Sequence, residues 1–511
     1  LPPFFIFPAR YRRATPHANA PAPVLATVDL GSNSFRLQVS RVVEDQLYTL
    51  DMLKETVRLG GGLTADKYLD DATQEAALAA LARFGERLRG FAPSQVRVVG
   101  TNTLRVARNA PAFIERAEAL LGFPIEIIAG REEARLIYIG AAHSLPATRE
   151  KRLVVDIGGG STEFIIGSQY KALVTESLPL GCVTYSLRYF PDGKLSKSNF
   201  KDATLAARNE IQRIALEYTP DQWQLAVGSS GTARALRDVL EINDFSSADI
   251  TLAGMEKLRD ALIRFGSNKD VDLNGLKADR VPVLPGGLAI MIGVFEELGV
   301  DKMTVADGAL RDGVLYDLLG RQREKDMRDS TVALFKRRYA VDVEQASRVG
   351  RLAERFYRML VGADVDAALF KRLQWATQLH EIGLTIAHTA YHKHSAYILQ
   401  NADMPGFSKR EQAQLATLVL GHRGDMGKMQ SLVDEPPLWQ AIVALRLAVL
   451  FCRRRQEPVL PEPLSLGTQH KGFTLALDPD WLSANPLTAS AFRQEVSQWK
   501  RVGFALAIGR N

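Results

Sequence analysis

The sequence predicts a duplicated α/β half, a mainly helical domain after it, and a small C-terminal α+β domain. Three observations lead there. Val28-Asp-Leu-Gly-Ser-Asn-Ser34 recurs in register as Val155-Asp-Ile-Gly-Gly-Gly-Ser161. Short apolar runs alternate with helix-like stretches as far as about residue 322. Beyond that point helical periodicity dominates until Phe473-Thr-Leu-Ala-Leu477. At 511 residues the chain is too long for one core, and ordinary domain sizes suggest roughly three or four units.

Residues 1–23 carry a proline-broken apolar patch that precedes the basic residues, the reverse of a secretory signal. They are expected to form a disordered extension. Each Gly/Ser loop of the repeat lies between apolar runs: Leu25-Ala-Thr and Phe35-Arg-Leu-Gln-Val for the first, Arg152-Leu-Val-Val and Phe164-Ile-Ile for the second. Apolar runs on both sides of a tight polar loop predict β-hairpins. Val96-Arg-Val-Val99 and Ile125-Glu-Ile-Ile128 read as buried strands. Ala134, Ile137, Tyr138 and Ala141 share one helical face. The boundaries fall near 140, 322 and 460, giving α/β units 24–140 and 141–322, a helical domain 323–460 and a small domain 461–511.

Apolar residues make up 46% and charged residues 24% of the chain, the balance of a folded soluble protein. No uncharged apolar run of about 18 residues is read from the sequence, so no membrane span is expected. Cys182 and Cys452 belong to no CxxC or Cys/His cluster. A disulfide framework and a structural zinc site are therefore not expected, and the reducing cytoplasm is the expected compartment. Net charge is +6, unevenly spread: residues 321–511 hold 27 Lys and Arg against 19 Asp and Glu, a net of +8, while the rest nets −2. Excess positive charge steers and retains polyanions, although a merely solvated basic face gives the same count.

The two loops have a chemical logic. Gly31, Gly158, Gly159 and Gly160 let the backbone turn tightly and bring N–H groups to an anion. Ser32, Asn33, Ser34, Ser161 and Thr162 add side-chain donors. Asp29 and Asp156 offer hard oxygen to Mg²⁺. Facing each other, the loops would hold a phosphate chain from both sides. Val227-Gly-Ser-Ser-Gly-Thr232 is a third Gly/Ser segment, equally readable as a simple strand-to-helix turn.

These loops resemble the phosphate-binding elements of the actin-like (ribonuclease H-like) superfamily, and more closely those of the exopolyphosphatase / guanosine pentaphosphatase family. Gly100-Thr-Asn-Thr-Leu-Arg105, Gly130-Arg-Glu-Glu-Ala-Arg-Leu136, Asp307-Gly-Ala-Leu-Arg-Asp-Gly313, Leu379-His-Glu-Ile-Gly383 and His392–Gln400 match in the family's order, over roughly residues 24–500. The resemblance implies a duplicated actin-like fold, a Mg²⁺-dependent phosphohydrolase activity and a homodimer. It assigns the general base to Glu133 and places Arg105 at the terminal phosphate. Asp156 and Glu163, with Asp29 in support, become the expected Mg²⁺ residues. The part of the chain before residue 321 then reads as housing the whole chemical site.

Five of the eight histidines, His380, His388, His392, His394 and His422, lie in the helical part. That part resembles the HD phosphohydrolase fold, but the dyad reads His380-Glu381. The expectation is a degenerate, non-catalytic domain that helps bind polyphosphate. Gly158-Gly-Gly160 and His392-Lys-His394 resemble the exopolyphosphatase branch, so inorganic polyphosphate is the expected substrate. Hydrolysis of pppGpp is the alternative, and binding of polyphosphate or an alarmone without catalysis the third reading. No nucleic-acid partner is expected. Peripheral attachment at the inner membrane face stands as a variant of the cytoplasmic location.

Overall fold

A computed structural model describes residues 23–43, 46–247, 249–322, 326–433 and 436–509. Most of the expected N-terminal extension thus lies outside the described residues. Both predicted hairpins are present. β1 (Val24–Leu30) pairs antiparallel with β2 (Phe35–Val43), which pairs with β3 (Gln46–Glu55). β4 (Val96–Gly100) and β5 (Ile125–Ile127) continue the sheet in parallel, giving the order β3-β2-β1-β4-β5. Helices α1 (Asp71–Arg87), α2 (Asn102–Val106), α3 (Ala110–Leu121) and α4 (Gly130–His143) belong to this stretch.

The second sheet repeats the plan. β6 (Lys151–Ile157), β7 (Thr162–Ser168) and β8 (Lys171–Leu178) form an antiparallel meander. β9 (Leu225–Ser229), β10 (Ile250–Thr251) and β11 (Lys302–Val305) complete the order β10-β11-β9-β6-β7-β8. Its helices are α5 (Cys182–Tyr189), α6 (Lys197–Ile211), α7 (Ser230–Ile242), α8 (Leu252–Phe265), α9 (Leu284–Leu298) and α10 (Leu310–Gln322). The register places Asp29 opposite Arg36 in the first hairpin and Asp156 opposite Glu163 in the second. The repeat therefore extends beyond the loops to the facing strand positions. Val281–Leu298 is long and apolar enough to cross a membrane, which the run-length reading overlooks; 78% of it is buried, as the core helix of this lobe.

The lobes interlock by exchanging helices. α4 follows the first sheet but shares a core with β6, β7 and β9 through Ile137 and Tyr138. α10 follows the second sheet, yet Leu315, Leu318 and Leu319 pack on Leu25 and Val42 of the first. Where α4 and α10 cross, a Cβ on Gly140 would lie 2.0 Å from the Ala309 carbonyl oxygen, and one on Gly313 1.7 Å from that of Leu136. Only glycine permits this backbone contact, which is the structural reason for both residues.

The helical domain comprises α11 (Met327–Arg338), α12 (Val343–Val361), α13 (Ala367–Leu379), α14 (Tyr391–Asn401), α15 (Lys409–Gly421) and α16 (Pro436–Phe451). A third sheet, β12 (Leu464–Gln469), β13 (Gly472–Leu477) and β14 (Ala505–Gly509), carries α17 (Pro479–Ala484) and α18 (Pro486–Arg501). Phe473 and Trp499 join one continuous core with Trp439 of α16.

Candidate active site

The two Gly/Ser loops meet in the lining of a cavity of about 120 Å³. A Cβ on Gly159 would lie 3.0 Å from Cβ of Ser32, and one on Gly160 only 2.2 Å from Nδ2 of Asn102. A side chain at either position would press on the first loop or on the Asn102 side chain of α2, which pack directly on the second loop. Ser32 is held in turn by Thr103, whose Oγ1 donates to its Oγ at 2.7 Å.

Gly31, Ser32, Asn33, Ser34, Gly158, Gly159, Gly160 and Ser161 all line the cavity, with Asp29, Asp156, Glu163 and Glu133. Thr162 does not. Its hydroxyl donates to the Leu180 carbonyl at 2.5 Å and is fully buried, because the alternation of β7 turns it to the other face. Arg105 lines an adjoining cleft of about 310 Å³ that shares Ser161. Its Nη1 donates to the Ile128 carbonyl at 2.8 Å and to Oε2 of Glu133 at 3.3 Å.

The third Gly/Ser segment also reaches the cavity, through Ser230 and Gly231. Ser230 adopts a left-handed backbone (φ 74°), a strained conformation for a residue with a side chain. Its Oγ and the Oγ1 of Thr232 donate to the Ile157 carbonyl at 3.0 and 2.9 Å, anchoring the strand that leads into the second loop.

Four arginines to which sequence reading gave no role also form part of the cavity wall: Arg36, Arg234, Arg280 and Arg311. Among the described residues none of them makes an ion pair. Arg311 donates to Oε1 of Gln38 and Arg234 to the Asp307 carbonyl. Burial, then repulsion from Arg311, pushes Arg36 down to about 10. Two of the four had a signal in the sequence: Arg311 lies within the family-like segment Asp307–Gly313, and Arg36 lies in the repeat. Arg36 and Glu163 occupy equivalent positions of the repeat, so the duplication pairs a basic position with an acidic one.

The carboxylates show the converse. Burial pushes Glu133 up to about 7, opposed by Arg105 and reinforced by Asp29 and Asp156. Asp156 is pushed up to about 6 by burial, opposed by a hydrogen bond from Ser229. Glu163 is driven well above the carboxylate range by burial and then by Glu133 and Asp156, although Ser177 donates to its Oε1 at 2.8 Å. Burial also raises Asp29, against the pull of Arg311 and Arg36. Asp29 Oδ1 and Asn33 Oδ1 are buried without a hydrogen-bond partner among the described residues. Such atoms are costly unless a ligand satisfies them.

This arrangement suits a cation beside the acids and an anionic group against the arginines. Among the described residues, no three His, Cys, Asp or Glu side chains converge tightly enough to hold an ion by themselves. Mg²⁺ asks for less, since it commonly takes one or two carboxylates and completes its shell with water and substrate phosphate. Asp29, Asp156 and Glu163 supply the right donor type. In the helical domain, His380, His392 and His422 gather with ring centroids 5.1 Å (His380–His422) and 6.2 Å (His392–His422) apart. Glu381 is ion-paired to Arg455 at 2.7 Å. Neither His388 nor His394 joins that group of three rings.

The Ppx/GppA phosphatase family profile matches residues 38–322, and that of Ppx/GppA phosphatase domain III matches residues 327–496. The guanosine-5'-triphosphate,3'-diphosphate pyrophosphatase of Pseudoalteromonas translucida (strain TAC 125) is 41% identical over 490 residues, 95% of this chain and 98% of that protein. An exopolyphosphatase structure from Cytophaga hutchinsonii ATCC 33406 aligns with a TM-score of 0.52 at 23% identity, over 58% of this chain and 98% of its own. An exopolyphosphatase-like protein aligns with a TM-score of 0.53 at 21% identity, over 59% of this chain and 99% of its own. At those identities the two structures bear on the fold alone, which is actin-like.

Proposed function

This chain belongs to the Ppx/GppA phosphatase family, and from that premise we propose that it hydrolyses the terminal phosphoanhydride bond of pppGpp, releasing orthophosphate and ppGpp. The observation that carries the chemistry is the buried carboxylate of Glu133, pushed up to about 7, in a cavity lined by both loops and four arginines. A base whose pKa lies near the working pH is matched to proton abstraction. A cavity of about 120 Å³ is small beside the ~300–1,000 Å³ of sites that enclose a drug-sized ligand, so it suits a phosphate end rather than a whole nucleotide.

In this mechanism the loop N–H groups and the arginines hold the terminal phosphoryl oxygens. Water, oriented by Glu133, attacks the terminal phosphorus in line. Its proton passes to the Glu133 carboxylate, and the bond to the bridging oxygen breaks. Negative charge on that leaving oxygen falls among the arginines. Arg105 keeps the Glu133 carboxylate oriented. Asp156 and Glu163, with Asp29, would hold Mg²⁺, which when bound supplies charge neutralisation to the phosphates.

The order of substrates reverses the sequence expectation. Gly158-Gly-Gly160 and His392-Lys-His394 favoured polyphosphate, but the relative matching over nearly its whole length carries the pppGpp-type name. Polyphosphate stays as the second reading, supported by the +8 of residues 321–511. The cytoplasm remains the proposed compartment and a homodimer the proposed assembly. The deciding experiment is phosphate release from pppGpp and from long polyphosphate, side by side with Mg²⁺. A higher kcat/KM for pppGpp is expected. The opposite order would overturn the substrate assignment, and release from neither would overturn the hydrolytic reading.

A further inference from the structure

Glu132, the residue beside the proposed base, takes no part in the cavity. It is 3% exposed, and its hydrogen-bond partners are Arg135 and Gly406. Nε and Nη2 of Arg135 hold its two oxygens at 2.8 Å each. The backbone N–H of Gly406, in the loop between α14 and α15, donates to its Oε2 at 2.9 Å. The network then closes on itself. Nη2 of Arg135 donates to Oδ1 of Asp317 at 2.6 Å, Nε of Arg321 to Oδ2 of Asp317 at 3.2 Å, and Nη2 of Arg321 to the Gly406 carbonyl at 2.8 Å. A second tie comes from Arg131, whose Nη1 donates to Asp403 of the same loop at 2.8 Å.

Three consecutive residues of the first turn of α4 therefore divide the work. Arg131 and Glu132 bind the helical domain, and Glu133 faces the phosphate loops. The charges of the ring are buried, so water cannot substitute for a lost partner, and the geometry is set by the ring itself. A small shift of this turn moves Glu133 relative to Arg105, a contact already 3.3 Å long. Misplacement of a reacting group by about 1 Å can cost roughly a hundredfold in rate.

We propose that Glu132 is a positioning residue through which the α14–α15 loop of the helical domain holds Glu133 in place for catalysis. This rests on the assignment of Glu133 as the base. The side chains that line the cavity all come from the part of the chain before residue 321, and Gly406 adds a bond to the helix that carries Glu133 from outside it.

The test uses the full chain with Glu132→Gln, Gly406→Ala, their combination, and Glu133→Gln as the control. Gly406 has φ 89°, and a Cβ there would lie 3.0 Å from the backbone N of Arg328, so alanine displaces the peptide while leaving every charge intact. Phosphate release from pppGpp and from polyphosphate is measured across pH. Each single variant should lower kcat by about tenfold or more with KM changed little, and move the pH midpoint of kcat. The double variant should be no worse than the poorer single, because both break one joint. Wild-type kcat and pH profile in Glu132→Gln, with only a lower Tm, would overturn the proposal, as would additive losses. If Glu132→Gln does not fold, Gly406→Ala decides alone by the same criteria. An inactive Glu133→Gln beside a wild-type-like Glu132→Gln sinks this inference but keeps the base. An active Glu133→Gln removes the base and this inference with it.

Discussion

Replacing Glu133 by glutamine exchanges one carboxylate oxygen for an amide nitrogen and leaves the shape of α4 intact. Nη1 of Arg105, now 3.3 Å from Oε2, would still find a carbonyl oxygen as acceptor. On the proposed mechanism the reaction loses its proton acceptor, while Asp29, Asp156 and Glu163 stay in the cavity. General-base assistance is worth about 10²–10⁴ in rate, or ~3–5 kcal/mol of barrier, so kcat should fall by that factor. Affinity should stay level or improve, because a negative charge has left the neighbourhood of a polyanion. In the wild type, kcat/KM should rise with pH through about 7, as the carboxyl ionises, and the variant should lose that limb. A bound cation would move the midpoint down by favouring the ionised form. Stability supplies an independent check. The folded pKa lies above the ordinary value of 4.5, so the folded state holds this proton more tightly than the unfolded one. Stability from this group is complete below 4.5 and is lost as pH rises through about 7. Glutamine has no such loss, so the variant should melt higher than wild type at pH 8 and not at pH 4.5. The assay is single-turnover phosphate release with equilibrium binding of pppGpp and thermal melts at both pH values. Wild-type kcat refutes the base assignment, and a parallel loss of affinity and kcat would make Glu133 a binding group instead.

Asp156→Asn and Glu163→Gln should each raise the Mg²⁺ concentration needed for half-maximal phosphate release, checked by Mg²⁺ titration; two unchanged curves would remove both residues from the metal shell. Arg36→Gln should weaken pppGpp binding and flatten its salt dependence, since one guanidinium of the wall no longer meets phosphate; binding isotherms at low and high salt decide it. Asp317→Asn should destabilise the protein by about 3–5 kcal/mol, because Arg97, Arg135 and Arg321 lose a buried counter-charge. Burial alone would raise Asp317, but Arg135 and Arg97 outweigh it and hold it well below the carboxylate range. Its contribution is therefore present above pH 4 and lost only in strong acid, which melting curves from pH 7 down to pH 2 would reveal.

The repeat makes the central architecture legible from the chain alone. An aspartate, a tight Gly/Ser loop and flanking apolar strands are local features, set by backbone conformation and by hydrogen bonds between residues close in sequence. The same locality exposes the start of α4, with Glu132 and Glu133 in its first turn, and the interior face carrying Ile137 and Tyr138. Thr162 shows where locality stops: it belongs to the loop motif by sequence, but strand alternation and the Leu180 carbonyl take its hydroxyl away from the cavity.

What the tertiary structure alone decided is convergence. Arg36, from the first lobe, and Arg234, Arg280 and Arg311, from the second, line one cavity, and the close crossing of α4 and α10 at Gly140 and Gly313 helps lock those lobes together. Gly406 of the helical domain reaches Glu132 although the two are far apart along the chain. Sequence carries the type and local spacing of such groups, but long-range packing of cores determines their separation in space. A buried charge network draws its energy from that separation, through the loss of water and the proximity of partners. The sequence alone therefore specified the two Gly/Ser loops and their acids, whereas the cluster of arginines and the joint behind Glu133 exist only once the lobes and the helical domain have packed together.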